Sequence, residues 1–400
     1  MHQTEILSPY TIPYSDLVIL SSSSPFIDER LRSVYRSIVE TLGPAGSGFL
    51  AVTGVAGASR LRESVLPLAR DLAIMSHDQR KRILKDHNLG SDIPLKNLDR
   101  HVSSFVMQLN FQHRSVSNAQ SFQNRGNQNS VEEYMEPEKS SSSADQKFNN
   151  LGSNFKELGF RMMELGLCIA RICDRANGSH ELEQSLLDAG SAKGRLIHYH
   201  SALDTVIIKE SGKKRGSRKN YDSLKFCHSE DTLEGCITGS DLWQQWHYDY
   251  GTFTVLTSPM FISPSFSETA DARDECISPC TKECPSPSGH SCLQIFDPKK
   301  NKIFVIKAPP DSCIVQVGES ADVLSRGKLR STLHSVCRPS GLEMFSRETF
   351  VVFLQPAWNK VFDISGYPKE LLSSYDYSFE EFSRETTRQY YGGMGVQSKR

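Results

Sequence analysis

In the run Trp243-Gln244-Gln245-Trp246-His247-Tyr248-Asp249, a histidine and an aspartate flank a tyrosine inside a hydrophobic stretch. A second histidine, His334, stands far downstream in another such stretch. Both stretches read as β-strands. Alternate residues of a strand point to one side, so His247 and Asp249 are expected to grip one ion together. Two imidazoles and a carboxylate on one face of a metal leave the remaining coordination positions open, the donor set suited to a non-haem Fe(II) that activates O2. A bare His-x-Asp arises often by chance, so its neighbours decide its weight.

Those neighbours continue as Tyr250-Gly251-Thr252-Phe253-Thr254-Val255-Leu256-Thr257. The whole segment resembles the H-x-D-x-G-x-x-T-x-L segment of the 2-oxoglutarate/Fe(II)-dependent oxygenases, isopenicillin N synthase-like branch, a group most abundant in plants. Residues Val323 to Val336 are similar to that family's strand–turn–strand running into its distal histidine. Arg347-Glu348-Thr349, followed by a hydrophobic run to Pro356, is similar to its R-x-S segment. Arg195-Leu196-Ile197-His198-Tyr199-His200 resembles its R-x-N-x-Y-P strand, with Ile197 in place of the Asn and His200 in place of the Pro.

The resemblance implies roles. His247, Asp249 and His334 would hold Fe(II). Arg347 would pair with the distal carboxylate of 2-oxoglutarate, helped by the Thr349 hydroxyl and by Tyr199. A guanidinium suits that task because it stays charged and offers two parallel hydrogen bonds to a carboxylate. The implied reaction consumes O2, decarboxylates 2-oxoglutarate to succinate and CO2, and hydroxylates or desaturates a small organic molecule. The alternative is a non-catalytic or regulatory protein on a decayed oxygenase fold. Intact metal ligands speak against it, since a drifting pseudoenzyme should lose those first. The separation of His334 from Arg347 exceeds the family's usual one, and the turn Pro339-Ser340-Gly341 is expected to absorb the excess.

The elements that must position these residues follow from periodicity. A short strand at 12–17 and a helix with apolar Leu31, Val34, Tyr35, Ile38 and Leu42 open the chain, and Gly48 to Val52 reads as another strand. Two amphipathic helices are expected over 61–87. Residues 115–148 carry few apolar side chains and are expected to form a disordered loop. A long helix follows, with Leu158, Met162, Leu165, Ile169 and Ile172 as its stripe. Short strands are then expected at 195–200, 203–208, 246–257, 293–297, 302–306, 312–317, 331–337 and 347–355. With the metal ligands, this pattern gives an α+β chain built on a double-stranded β-helix (jelly-roll) barrel, with an N-terminal helical region and a C-terminal helix. The domain reading is an N-terminal region over 1–114, the loop 115–148, a supporting helical region over 149–194, the oxygenase domain over 195–365, and a helix and tail over 366–400. Insertions at 209–240 and 263–291 are expected to be surface loops.

Composition sets the class. Thirty-eight per cent of residues are hydrophobic, and 46 basic residues nearly balance 47 acidic ones. No global field draws the chain to nucleic acid, and no apolar run is long enough for a membrane span. Ten cysteines without a secretory leader suggest reduced thiols in a cytoplasmic, or nuclear, protein, and a monomer is expected. Cys276, Cys280, Cys284, His290 and Cys292 invite a zinc reading, but zinc ligands usually come in C-x2-C pairs. A loop with incidental thiols is favoured. Lys213-Lys214-Arg215-Gly216-Ser217-Arg218-Lys219 is similar to a nuclear-import patch, and a solvated loop is favoured there too. His198 and His200 face away from Tyr199 and read as ordinary satisfied histidines. Tyr248 and Tyr250 read as packing residues.

Overall fold

The computed structural model describes residues 5–22, 28–91, 101–111, 146–211, 242–263, 283–338, 343–363 and 377–391. They form a mixed α/β structure in which helices cover one face of a large sheet and a second sheet covers the other. The smaller sheet contains β1 (Glu5–Leu7), β7 (Leu242–His247), β11 (Leu293–Asp297), β12 (Lys302–Ile306) and β14 (His334–Cys337), in the order β1-β12-β11-β14-β7. The larger sheet runs β2 (Thr11–Pro13), β3 (Phe49–Thr53), β13 (Cys313–Val317), β8 (Phe253–Thr257), β15 (Ser346–Leu354), β6 (Ser191–Tyr199), β5 (Val102–Asn110), β4 (Gly90–Ser91). β9 (Met260–Ile262) pairs with β15, and β10 (Glu283–Cys284) pairs with β9. A small separate pair joins β16 (Val361–Phe362) to β17 (Tyr377–Ser378).

Strand alternation explains the layering. Phe49, Ile197, Leu256, Ile314 and Val351 of the larger sheet meet Trp243, Leu293, Ile295, Phe304 and Val336 of the smaller one in a shared apolar layer. Leu50, Val52, Leu196, Val255, Val315, Phe350 and Val352 point the other way, into the helices. Among the described residues neither sheet closes on itself: in place of the expected closed barrel stand two open sheets face to face.

The helical layer consists of α1 (Tyr14–Ser21), α2 (Glu29–Leu42), α3 (Ala58–Ile74), α4 (His77–Asp86), α5 (Leu151–Asn177), α6 (Glu181–Ala189) and α7 (Ala202–Ser211). α8 (Glu319–Leu324) precedes the distal histidine, and α9 (Phe379–Tyr391) lies near the C-terminus. α5 is the spine. Its expected stripe of Leu158, Met162, Leu165, Ile169 and Ile172 is wholly buried. Gly159 and Gly166 let it lie against the sheet, because a Cβ at either would come within 2.4 Å of Leu109 or 2.8 Å of Leu354.

Several local expectations change. Residues 12–17 are only in part a strand: Pro13 ends β2 and caps α1, so Asp16 and Leu17 are helical. Residues 203–208 are strand-like in composition but lie in α7. The Ser201 hydroxyl accepts from the Asp204 amide (3.0 Å) while the Asp204 carboxylate accepts from the Ser201 amide (3.2 Å), a reciprocal cap that starts a helix. The single strand expected at 246–257 is two, β7 and β8, one in each sheet. The 263–291 insertion is not all plain loop, since β10 extends the larger sheet and Glu283 pairs with Arg62 of α3 at 2.6 Å. Residues 264–282, 112–145 and 212–241 lie outside the described residues, and with them most of the expected loops, Cys276, Cys280 and the basic cluster. At the edges of those loops Phe148 is buried against the core, and 209–211 finish α7.

Candidate metal centre

β7 and β14 run antiparallel with His247 directly opposite His334, so the sheet register brings the two rings to 4.2 Å between centroids. Asp249 lies just beyond the end of β7, in the crossing from one sheet to the other. The crossing is held by backbone contacts: the Glu319 amide donates to the Asp249 carbonyl at 2.8 Å. It is also tight. A Cβ on Gly318 would lie 2.2 Å from the Gly251 carbonyl oxygen and 2.9 Å from that of Asp249, so only glycine fits between them. The common side of His247 and Asp249 therefore comes from this turn, not from strand alternation.

The three side chains converge. One ligand atom from each of His247, Asp249 and His334 lies within 4.8 Å of the others, the one such group of His, Cys, Asp or Glu among the described residues. Asp249 Oδ1 is 3.7 Å from His247 Nε2, and Oδ2 is 3.7 Å from His334 Nε2. Both Nδ1 atoms are committed elsewhere: His247 Nδ1 lies 2.8 Å from the Gln245 carbonyl and His334 Nδ1 lies 3.0 Å from the Thr332 carbonyl. A carbonyl only accepts, so each Nδ1 carries the proton and each Nε2 keeps its lone pair for an ion. Thr254 Oγ1 donates to Asp249 Oδ2 at 2.6 Å and fixes the carboxylate. Such outer partners set ligand orientation and basicity. Burial and the neighbouring His334 push the His247 pKa down to about 4, so the imidazole is neutral at ordinary pH and ready to ligate. The donor set, the tautomers and the orientation all fit a divalent transition metal.

The residues expected around a cosubstrate fall into two groups. Arg347 and Tyr199 are directly paired across β15 and β6, and the guanidinium lies over the Tyr199 ring at 5.0 Å. Arg347 is 1% exposed, and its Nε donates to the Ser291 carbonyl at 2.9 Å. Among the described residues no carboxylate lies within 4.0 Å of this guanidinium. Thr349 shares its strand face, and its hydroxyl donates to the Thr257 carbonyl at 3.3 Å. Tyr199 turns its hydroxyl to Gln244 Oε1 at 2.8 Å.

Gln244 is the residue that sequence reasoning missed. Its Nε2 lies 2.9 Å from His247 Nε2, so it bridges the tyrosine and the metal ligand. An odd separation along a strand should place Gln244 and His247 on opposite faces. They share one because β7 bulges: three steps from Gln244 to His247 oppose two from Val336 to His334. Nothing in the composition of the segment signals that bulge.

Other candidates resolve differently. His198 and His200 are buried core histidines on the far side of β6, His198 Nδ1 at 2.8 Å from Glu348 Oε2 and His200 Nε2 at 2.8 Å from Ser103 Oγ. Tyr250 packs on Phe379 of α9. Cys284, His290 and Cys292 form no metal-binding group among the described residues. His290 Nδ1 instead accepts from the Cys292 amide at 3.2 Å. No described helix is long and apolar enough to cross a membrane.

No family model and no curated relative matches the sequence. Solved structures do. A full-length Neurospora crassa protein, solved in complex with alpha-KG, aligns over 96% of this chain and 96% of its own at 14% identity and a TM-score of 0.55. The rice dioxygenase for auxin oxidation (DAO) aligns over 98% of this chain and 97% of its own at 15% identity and a TM-score of 0.54. The class defined here is therefore one of fold: the chain shares the fold of these two proteins, one solved with alpha-KG and the other a dioxygenase. Its own particular signature within that fold is the His247–Asp249–His334 group beside a buried Arg347 that no described carboxylate neutralises.

Proposed function

We propose that this protein is an Fe(II)- and 2-oxoglutarate-dependent oxygenase that oxidises a small organic molecule, and that its two facing sheets are the halves of a double-stranded β-helix. The carrying observation is the convergence of three ligand atoms within 4.8 Å, on histidines whose other nitrogens are already tied to carbonyls. His247, Asp249 and His334 would hold the iron, which supplies O2 activation when bound.

The chain's own residues do the rest. Arg347 receives the distal carboxylate of 2-oxoglutarate, because a guanidinium buried without a carboxylate leaves an uncompensated charge that an anionic ligand would satisfy. Tyr199 holds the guanidinium from its ring face, which adds a cation–π attraction where water is excluded. Ser291 fixes its Nε, and Thr349 adds a hydroxyl on the same strand face. Thr254 orients the Asp249 carboxylate. The apolar layer between the sheets keeps water from the reacting centre.

The test is anaerobic. Full-length protein mixed with Fe(II) and 2-oxoglutarate should develop the visible charge-transfer band of a chelated 2-oxo acid, and His334→Ala should abolish it while retaining folded secondary structure. Wild-type protein that binds iron but shows no band would remove 2-oxoglutarate from the reading.

A further inference from the structure

Outside the metal centre, two of the described cysteines stand together. Cys292 immediately precedes β11 and Cys337 ends β14. Those strands pair with Leu293 opposite Val336, which puts the two cysteines opposite each other at the next register step. The Cys337 amide donates to the Cys292 carbonyl at 2.9 Å, and Cys337 Sγ lies 3.3 Å from the same oxygen. Opposed residues of an antiparallel pair have Cα atoms about 4.5–5.5 Å apart, inside the roughly 4.4–6.8 Å span that a disulfide bridges.

We propose that Cys292 and Cys337 are a peroxide-sensitive dithiol, converted by hydrogen peroxide to a disulfide that displaces the backbone carbonyl anchoring Arg347. The pair is chemically asymmetric. Cys337 is half-buried, whereas Cys292 is fully buried. The Cys292 thiol beside it, and further off Arg347, hold the Cys337 pKa down against its own burial, while the same contact and burial push Cys292 up. Cys337, the less buried of the two, supplies the attacking sulfur and Cys292 the resolving one.

The chemistry balances in two steps. Cys337 sulfur attacks one peroxide oxygen, the O–O bond breaks, and a sulfenic acid and one water result. Cys292 sulfur then attacks the sulfenic sulfur, the S–O bond breaks, and the hydroxyl leaves as a second water. Two thiols lose two electrons in all, and one peroxide is reduced to two waters.

The consequence reaches the site through two adjacent residues. Cys292 has a φ of +61°, a left-handed conformation that costs a non-glycine residue energy and persists only where its surroundings impose it. The residue before it, Ser291, carries the carbonyl that accepts from Arg347 Nε at 2.9 Å. Drawing Cys292 sulfur onto Cys337 therefore re-sets the peptide that aims Arg347. This link rests on the assignment of Arg347 to 2-oxoglutarate.

The experiment reads the two halves separately. Reduced, full-length, iron-free protein is treated with hydrogen peroxide, quenched, and digested without reductant. The expected result is a Cys292–Cys337 cross-linked peptide, the loss of two thiols from the pair, and reversal by dithiothreitol. Cys337→Ser and Cys337→Ala, checked for native circular dichroism, should form no such peptide. After anaerobic loading with Fe(II), the oxidised wild type should need at least ten-fold more 2-oxoglutarate for the visible band, and the treated Cys337 variants should not. A pair that stays reduced while other thiols oxidise, or that oxidises without cross-linking, would overturn the modification site. A cross-link that leaves 2-oxoglutarate affinity unchanged would overturn the coupling to Arg347. If wild type shows no band even when reduced, the cosubstrate reading has failed while the cross-link result still decides the dithiol.

Discussion

Arg70 and Arg347 are buried to the same depth, each 1% exposed, on opposite sides of the β6–β15 strand pair. Their surroundings differ completely. Arg70 reaches Asp204 Oδ1 with Nε at 2.9 Å and a second nitrogen at 2.7 Å. Asp204 also accepts from the Ser201 hydroxyl and stands 3.6 Å from His198, which in turn meets Glu348. Two cationic and two anionic groups balance there once His198 is protonated. Arg347 has a carbonyl and an aromatic ring but no described carboxylate. A buried charge is tolerable only when compensated. Arg70 is thus compensated by the chain itself, whereas no described carboxylate compensates Arg347, which is what the proposed cosubstrate carboxylate would do.

The histidines sharpen the same contrast. Burial and the neighbouring imidazole push His247 down to about 4. Burial presses on His198 as well, but Glu348 and Asp204 outweigh it, and the net shift is upward. Glu348 is itself raised, chiefly by burial. The two environments thus favour a neutral His247 and a charged His198, while His200 beside His198 is pushed down by burial.

The largest expected effect separates the arginines. Arg70→Met should destabilise the fold by about 3–5 kcal/mol, because it strands Asp204 as an uncompensated buried charge. Arg347→Met should leave unfolding within about 1 kcal/mol of wild type and weaken 2-oxoglutarate binding on the order of 100-fold, or about 2.7 kcal/mol. Denaturant unfolding and the anaerobic band titration measure the two. A destabilisation of Arg347→Met equal to that of Arg70→Met would make both arginines structural and end the distinction.

Next comes pH. The folded pKa of His247 lies below its ordinary 6.5, so its contribution to stability is complete above 6.5 and is lost as pH falls toward about 4. That amounts to up to about 3 kcal/mol. The folded pKa of His198 lies above 6.5, so its contribution is complete below 6.5 and is lost as pH rises through the folded value. Unfolding free energies of metal-free protein across this range should show both slopes. His247→Gln should make the acid slope shallower, leaving the share of His200, which burial also pushes down, and His198→Gln should flatten the alkaline side. Slopes of the same sign would contradict the opposed environments.

Much of this was legible in the sequence, and the failures share a cause. The α5 stripe and the short strands 293–297 and 302–306 are carried by residue type and local period, and they stand where expected. Residue type points to His247, Asp249 and His334 as a group, but the turn after β7, not alternation, brings Asp249 to the two histidines. Residues 203–208 failed because Ser201 and Asp204 cap one another, which overrides the β-branched run Thr205-Val206-Ile207-Ile208. The strand expected over 246–257 failed because Gly251 lets the chain change sheets. The charged network beyond β6 was invisible: Arg70, Asp204, His198 and Glu348 come from separate segments, and only tertiary packing makes them neighbours. Alternation did place His198 on the face opposite Tyr199, but it could not say that carboxylates would meet it there.

The smallest expected effect concerns the residue that alternation misplaced. Gln244 donates its amide toward His247 Nε2, the same lone pair that an iron ion needs, and accepts from the Tyr199 hydroxyl. Iron binding must therefore displace the amide. Gln244→Leu keeps the side-chain volume and removes the competitor, and a net hydrogen bond is worth about 0.5–1.5 kcal/mol, so Fe(II) should bind roughly 2- to 10-fold more tightly. Tyr199→Phe leaves the amide in place and should change iron affinity less, although it removes the hydroxyl end of the bridge. Anaerobic competition against a coloured chelator, without 2-oxoglutarate, measures both. Weaker iron binding in Gln244→Leu would reverse the argument. It would mean that the amide turns to support the metal-bound state, and that Gln244 belongs with Thr254 among the groups that hold the ligands in place.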